Sequence, residues 1–171
     1  VGGTMVFART SKAASRLSEA FRTHAVQKTY LCVARGAIAA PMKLTDYLLK
    51  DERTGMVRVS PEGKLARLVS EPIAQKGGFT LLRVRLLTGR PHQIRVQHAH
   101  AGHPLWGDAR YGNGKPGEQI ALWSHKLVCE HPTRREPLTF VSLPPLAGAW
   151  RMFESELERL APDSNDGSER I

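Results

Sequence analysis

The residues best suited to chemistry lie together in Thr88-Gly89-Arg90-Pro91-His92-Gln93-Ile94-Arg95. The run leaves an apolar stretch through a glycine turn and is opened by proline, whose missing N–H costs nothing in the first turn of a helix. A helix start flanked by arginines suits an anion, because its N–H groups and the guanidinium side chains favour negative charge. Arginine can also hold a carboxylate or phosphate through two parallel hydrogen bonds while keeping its own charge. Tyr30, taken by itself, reads as an ordinary half-buried strand tyrosine.

Other reactive residue types point elsewhere. His92, His98, His100 and His103 are close in sequence, but His98 and His100 are two apart on a presumed helix and face different ways. No cysteine or carboxylate completes a ligand set beside them, so no metal site is expected. Asp108 follows a glycine inside a turn-rich loop, where an aspartate commonly accepts hydrogen bonds from its own downstream backbone. Cys32 and Cys129 stand in apolar, strand-like contexts without metal-ligand spacing and read as buried reduced thiols.

The 171 residues carry a formal net charge of +9, an excess that points to a polyanionic partner. No apolar run approaches the roughly 18 residues that span a bilayer, and nothing reads as a signal peptide. RNA or DNA is therefore favoured over a membrane surface, and the expected setting is the cytoplasm, with a monomer as the default state. Lys12, Arg16, Arg22, Arg35, Lys126, Arg134 and Arg135 can supply phosphate contacts, although each taken alone is an ordinary solvated charge.

The elements that must position these residues follow from periodicity. Strands are expected over residues 3–8, 28–35, 56–60, 66–74, 79–87, 119–129 and 137–142. A helix capped by Ser11 carries Ala14, Leu17 and Phe21 at helical spacing, with Lys12, Arg16, Glu19 and Arg22 opposite. Residues 37–50 read as a connection with a short helical turn near 45–49, and a helix is expected from Pro91 to a stop at Gly102. A last helix over 150–160 presents Trp150, Phe153, Leu157 and Leu160 on one side, and the polar tail 162–171 reads as disordered. Strands outnumber helices and few are joined by crossover helices. The fold class is therefore α+β, a mainly antiparallel or mixed sheet with flanking helices, in one domain over residues 1–161.

Three segments, in this order, resemble the RluA-type pseudouridine synthases. They are Gly3-Thr4-Met5-Val6-Phe7-Ala8-Arg9-Thr10, then Lys28-Thr29-Tyr30-Leu31, then Thr88 to Val96 with Gly102-His103-Pro104, Gly107-Asp108 and Tyr111-Gly112 downstream. The third is the most specific, and the likeness runs from residue 1 to about 145. It implies an enzyme that turns uridine in RNA into its C-glycoside isomer without a cofactor. It also implies the family's catalytic fold with its N-terminal strands missing.

By the same resemblance Tyr30 and Arg95 are catalytic, Tyr30 through a ring that can stack on the flipped base and a phenol that can help receive a proton, Arg95 as the cation that keeps a carboxylate ionised. Ile94 is expected to pack beneath the base pocket. Arg90 and His92, from their place at the helix start, and Lys28, Lys12 and Arg16, from their charge, are expected to contact RNA, with a loop-positioning role open for Arg90 and His92. The family's catalytic aspartate belongs to an H-R-L-D-x-x-T-S-G element. Here Val1-Gly2-Gly3 stand in place of T-S-G with only Gly3 matching, which puts the aspartate three positions before Val1 and outside the chain. The fragment by itself is expected to be inactive. Ala66-Arg67-Leu68, where the family reads A-x-T, is a smaller departure that bears on packing.

A non-catalytic RNA-binding or ribosome-assembly protein on the same fold is the alternative, favoured by the missing nucleophile and opposed by Tyr30 and the intact arginine motif. A hydrolase acting on RNA or nucleotides is weaker still, since no base–nucleophile pair is visible.

Overall fold

A computed structural model describes residues 1–161; the expected tail at 162–171 lies outside them. The chain builds one eight-stranded sheet. Its strands are β1 (Gly2–Gly3), β2 (Gln27–Arg35), β3 (Met42–Lys50), β4 (Val57–Val59), β5 (Lys64–Lys76), β6 (Phe79–Leu86), β7 (Leu122–Glu130) and β8 (Pro137–Val141). The spatial order is β1-β7-β2-β6-β5-β3-β4, with β8 also on β7. The β1–β7 pair is parallel and every other pair antiparallel, so the sheet is mixed, as the strand-rich pattern predicts.

Apolar side chains alternate along β2 and feed two cores. Cys32 and Ala34 pack with Leu68, Leu82, Val84, Leu122 and Ile94, and Tyr30 lies against the same cluster. Leu31 and Val33 point to the opposite face, where they meet Leu81, Trp150, Phe153 and Leu157. Both faces are thus covered, one by helix α2 (Gln93–His100) and the other by the C-terminal segment. That segment is a 3-10 turn over Gly148–Phe153 continued by α3 (Glu154–Glu158), in place of one regular helix, yet Trp150, Phe153 and Leu157 are buried as predicted. Cys32 and Cys129 are buried and unpaired.

Several elements differ from the sequence reading. The stretch 3–8 is a strand only at Gly3: Thr4 donates the last ladder bond to the Ser124 carbonyl, and Met5 and Phe7 are largely exposed. Among the described residues β7 alone offers this stretch a ladder, and Lys126–Glu130 of β7 pair with β8 instead. Helix α1 (Ser11–Arg22) is capped by Thr10, whose hydroxyl accepts from the Ala13 N–H, rather than by Ser11.

The presumed connection 37–50 contains the nine-residue strand β3, with Leu48 buried between β4 and β5 and no helical turn near 45–49. Helix α2 begins at Gln93, not at Pro91, because His92 takes a left-handed φ of 50° that interrupts helical geometry. It ends at His100 with Ala101 as its cap, just before Gly102.

Candidate active site

The motif loop after β6 is anchored to β5 through its polar side chains. The Thr88 hydroxyl accepts from the Arg67 N–H at 2.8 Å and donates to Gln93 Oε1 at 2.8 Å. Gln93 Oε1 also accepts from the Arg90 N–H at 2.9 Å, and its Nε2 donates to the Arg67 carbonyl at 3.0 Å. With Thr88 and Gln93 both buried, these bonds fix where α2 starts. Arg90 Nε donates to the Leu65 carbonyl at 2.9 Å, so part of this guanidinium is spent on holding the loop to β5. Lys28 lies beside the same loop, its ammonium against Gly89, and partial burial lowers its pKa.

From this anchored start α2 sends consecutive side chains to different places. Ile94 is 4% exposed and enters the core against which Tyr30 packs. Arg95 reaches the loop after α2 and meets Asp108 in a two-pronged ion pair, Nε to Oδ2 at 2.8 Å and Nη2 to Oδ1 at 2.7 Å. The two side chains are only 14% and 1% exposed. Oδ1 of Asp108 also accepts from the backbone N–H groups of Arg110 and Tyr111, the Asx turn expected from sequence. Burial alone would raise the Asp108 pKa, but the Arg95 hydrogen bond and those N–H groups outweigh it and hold the carboxyl below its ordinary range. The same hydrogen bond raises Arg95. Gly107, with φ at 71°, makes this turn possible: a side chain there would run into the Gln119 carbonyl.

Tyr111 closes the arrangement from behind. Its ring lies 4.9 Å from the Arg95 guanidinium carbon, a cation–π contact. Its hydroxyl accepts from the Val57 N–H at 3.0 Å and lies 2.7 Å from Nδ1 of His92. Partial burial and the nearby positive charges of Arg95 and Arg110 lower the His92 pKa.

Tyr30 stands across the sheet from β1. In register it pairs with Ser124 of β7, and Ser124 pairs on its other side with Gly3. The β2–β7 register shifts at Thr29/Tyr30, where His125 is an extra residue on β7. Such bulges re-aim neighbouring side chains. Burial raises the Tyr30 phenol and a hydrogen bond with Ser124 opposes that rise. At Gly2 the Trp123 ring fills the space a β-carbon would occupy, so a serine at this T-S-G position would require Trp123 to move.

The structure therefore brings Tyr30 and Ile94 into one cluster and sets Arg95, His92, Arg90 and Lys28 around the same loop. Lys12 and Arg16 lie apart on the exposed face of α1, where Arg16 donates to the Pro132 carbonyl. The Arg95–Asp108 pair and the Tyr111 contact went unforeseen. Asp108 and Tyr111 both stand in the downstream motif, but nothing in sequence spacing says that a helix will turn its arginine onto that loop. His98 is not a ligand candidate but a core residue, 3.0 Å from the Ser70 hydroxyl and 2.8 Å from the Ile94 carbonyl.

The family model for RNA pseudouridylate synthase matches residues 1–100. The chain is 31% identical over 153 residues to pseudouridylate synthase RPUSD2 of Homo sapiens, covering 78% of this chain and 27% of that protein. It is 36% identical to ribosomal large subunit pseudouridine synthase C of Vibrio vulnificus, over 80% of this chain and 46% of the relative. It is 40% identical to ribosomal large subunit pseudouridine synthase D of Yersinia pestis, over 67% and 35%. It thus spans less than half the length of each of these three. Among solved structures, human RNA pseudouridylate synthase domain containing 1 shares the fold with a TM-score of 0.70 at 22% identity, over 83% of this chain and 64% of that one.

Proposed function

Because the chain belongs to the RluA-type RNA pseudouridylate synthase family, we propose that the protein isomerises specific uridines of structured ribosomal or transfer RNA in the cytoplasm, working as a monomer. In this reading residues 1–161 are the larger part of one catalytic domain, and a catalytic aspartate preceding Val1 completes the site. The observation that carries it is the anchored motif loop, which holds Arg95 in a fixed guanidinium geometry while Ile94 and Tyr30 share one apolar cluster.

The chemistry is a rearrangement in which every atom is conserved. The aspartate acts on the ribose, as nucleophile at C1′ or as base at C2′, and the C1′–N1 bond breaks. The uracil turns, C5 bonds to C1′, the C5 proton leaves and N1 finishes with a proton. Arg95 keeps the aspartate ionised in a partly dry pocket. Tyr30 stacks on the extruded base, with Ile94 beneath, and its phenol helps receive the C5 proton. Lys28, Arg90, His92, Lys12 and Arg16 meet the RNA backbone.

Loss of the C5 proton gives a direct test. Full-length protein mixed with RNA carrying tritium at uridine C5 is expected to release tritium and form pseudouridine in equal amounts, while residues 1–171 alone bind RNA and release none. RNA binding without tritium release by the full-length protein would replace this reading with the non-catalytic one.

A further inference from the structure

A guanidinium has two edges that can grip a carboxylate: one made by Nε and Nη2, the other by Nη1 and Nη2. Asp108 takes the first edge, through Nε at 2.8 Å and Nη2 at 2.7 Å. Asp108 itself is anchored, because its Oδ1 is held by the Arg110 and Tyr111 N–H groups and its side chain is 1% exposed. Tyr111 supports one face of the guanidinium, and the Tyr111 ring is in turn pinned at its hydroxyl by the Val57 N–H. With one edge gripped and one face covered, the guanidinium cannot swing about its last torsions, and no side-chain acceptor among the described residues occupies the Nη1–Nη2 edge.

We propose that Asp108 and Tyr111 are positioning residues: together they fix the plane of Arg95 so that its Nη1–Nη2 edge faces a second anion, the carboxylate that acts on the ribose. The inference rests on the reading of Arg95 in the preceding section and adds to it the device that aims the cation. Asp108 accordingly serves catalysis through Arg95 and touches no substrate. Through the same hydroxyl Tyr111 lies 2.7 Å from His92 Nδ1, which ties the left-handed residue opening α2 to this ring.

The test separates aim from fold. In the full-length protein, Asp108→Asn keeps an oxygen for the Arg110 and Tyr111 N–H groups but loses one prong to Arg95, and Tyr111→Leu removes the supporting ring. Each is expected to lower kcat about a hundredfold, the scale on which small misplacements act, with KM for RNA unchanged, and Arg95→Ala is expected to be inactive. In nitrogen-15 spectra the Arg95 Nε–H signal should be sharp in the native protein and broadened in both variants.

Native kcat in both Asp108→Asn and Tyr111→Leu, with Arg95→Ala inactive, overturns the positioning role and leaves the reading of Arg95 intact. Native kcat in Arg95→Ala overturns that reading instead. If Asp108→Asn does not fold, Tyr111→Leu decides: reduced kcat with a broadened Arg95 signal supports the proposal, and native kcat refutes it.

Discussion

Tyr30 combines a stacking surface with a phenol whose proton is held more firmly than in water, since burial raises it and Ser124 only partly opposes that. A phenol in that state gives up its proton reluctantly, so any use of it as a proton acceptor depends on help at the moment C5 loses its hydrogen. Tyr30→Phe keeps the ring and removes that option. The expected outcome is retained RNA affinity with tritium release from uridine C5 strongly reduced; normal release would leave stacking as the whole role of Tyr30. At this scale the sequence was most legible where a residue's neighbours in the chain are also its neighbours in space. The glycine turn that leads from β6 into a helix follows from the compact eight-residue motif Thr88 to Arg95, and the Asx turn of Asp108 follows from Gly107-Asp108. The partner of Arg95 did not follow, because Asp108 lies 13 residues further on and reaches it only through the loop that follows α2.

Among the elements, β3 and the link between α2 and β5 show how buried polar residues hide structure. Along β3 the residues Met42, Leu44, Asp46 and Leu48 are less exposed than Lys43, Thr45 and Tyr47 between them, an alternation that would announce a strand. An aspartate on the inner side breaks the apolar pattern, and only the fold reveals that Gln97 donates to Asp46 at 2.7 Å. His98, one position on, ties α2 to β5 through Ser70 and is fully buried. Burial is the main cause that lowers its pKa from an ordinary 6.5 to about 4, the Ile94 carbonyl opposing the shift. The folded state therefore excludes a proton that the unfolded chain binds below pH 6.5. Stability from this group is complete above that pH and is lost as pH falls to about 4, by about 3 kcal/mol in all. Unfolding by denaturant across that range should show the loss, and His98→Gln, which does not titrate there, should flatten that part of the curve. A slope that survives in the variant assigns the effect to another group.

For the whole molecule, the +9 charge speaks of a polyanion without saying which surface meets it. The fold divides the candidates. Lys28 and Arg90 stand at the anchored motif loop, whereas Lys12 and Arg16 lie on the open face of α1, where a solvated charge needs no function. Salt dependence separates the two kinds of residue, because each phosphate neutralised releases counterions and steepens the fall of affinity with salt. If RNA runs from the motif loop across α1, the Lys12→Ala, Arg16→Ala double variant lowers the slope of log affinity against log salt by roughly one to two. The weakening should be equal for RNAs of different sequence, since backbone contacts position without specifying. An unchanged slope would confine the RNA path to the motif loop, with Lys12 and Arg16 serving only solubility. Neither double nor single variants on α1 should alter kcat at saturating RNA, because that helix is held through Val26, Leu127 and Cys129 with Ala20, away from the core that Ile94 and Tyr30 share.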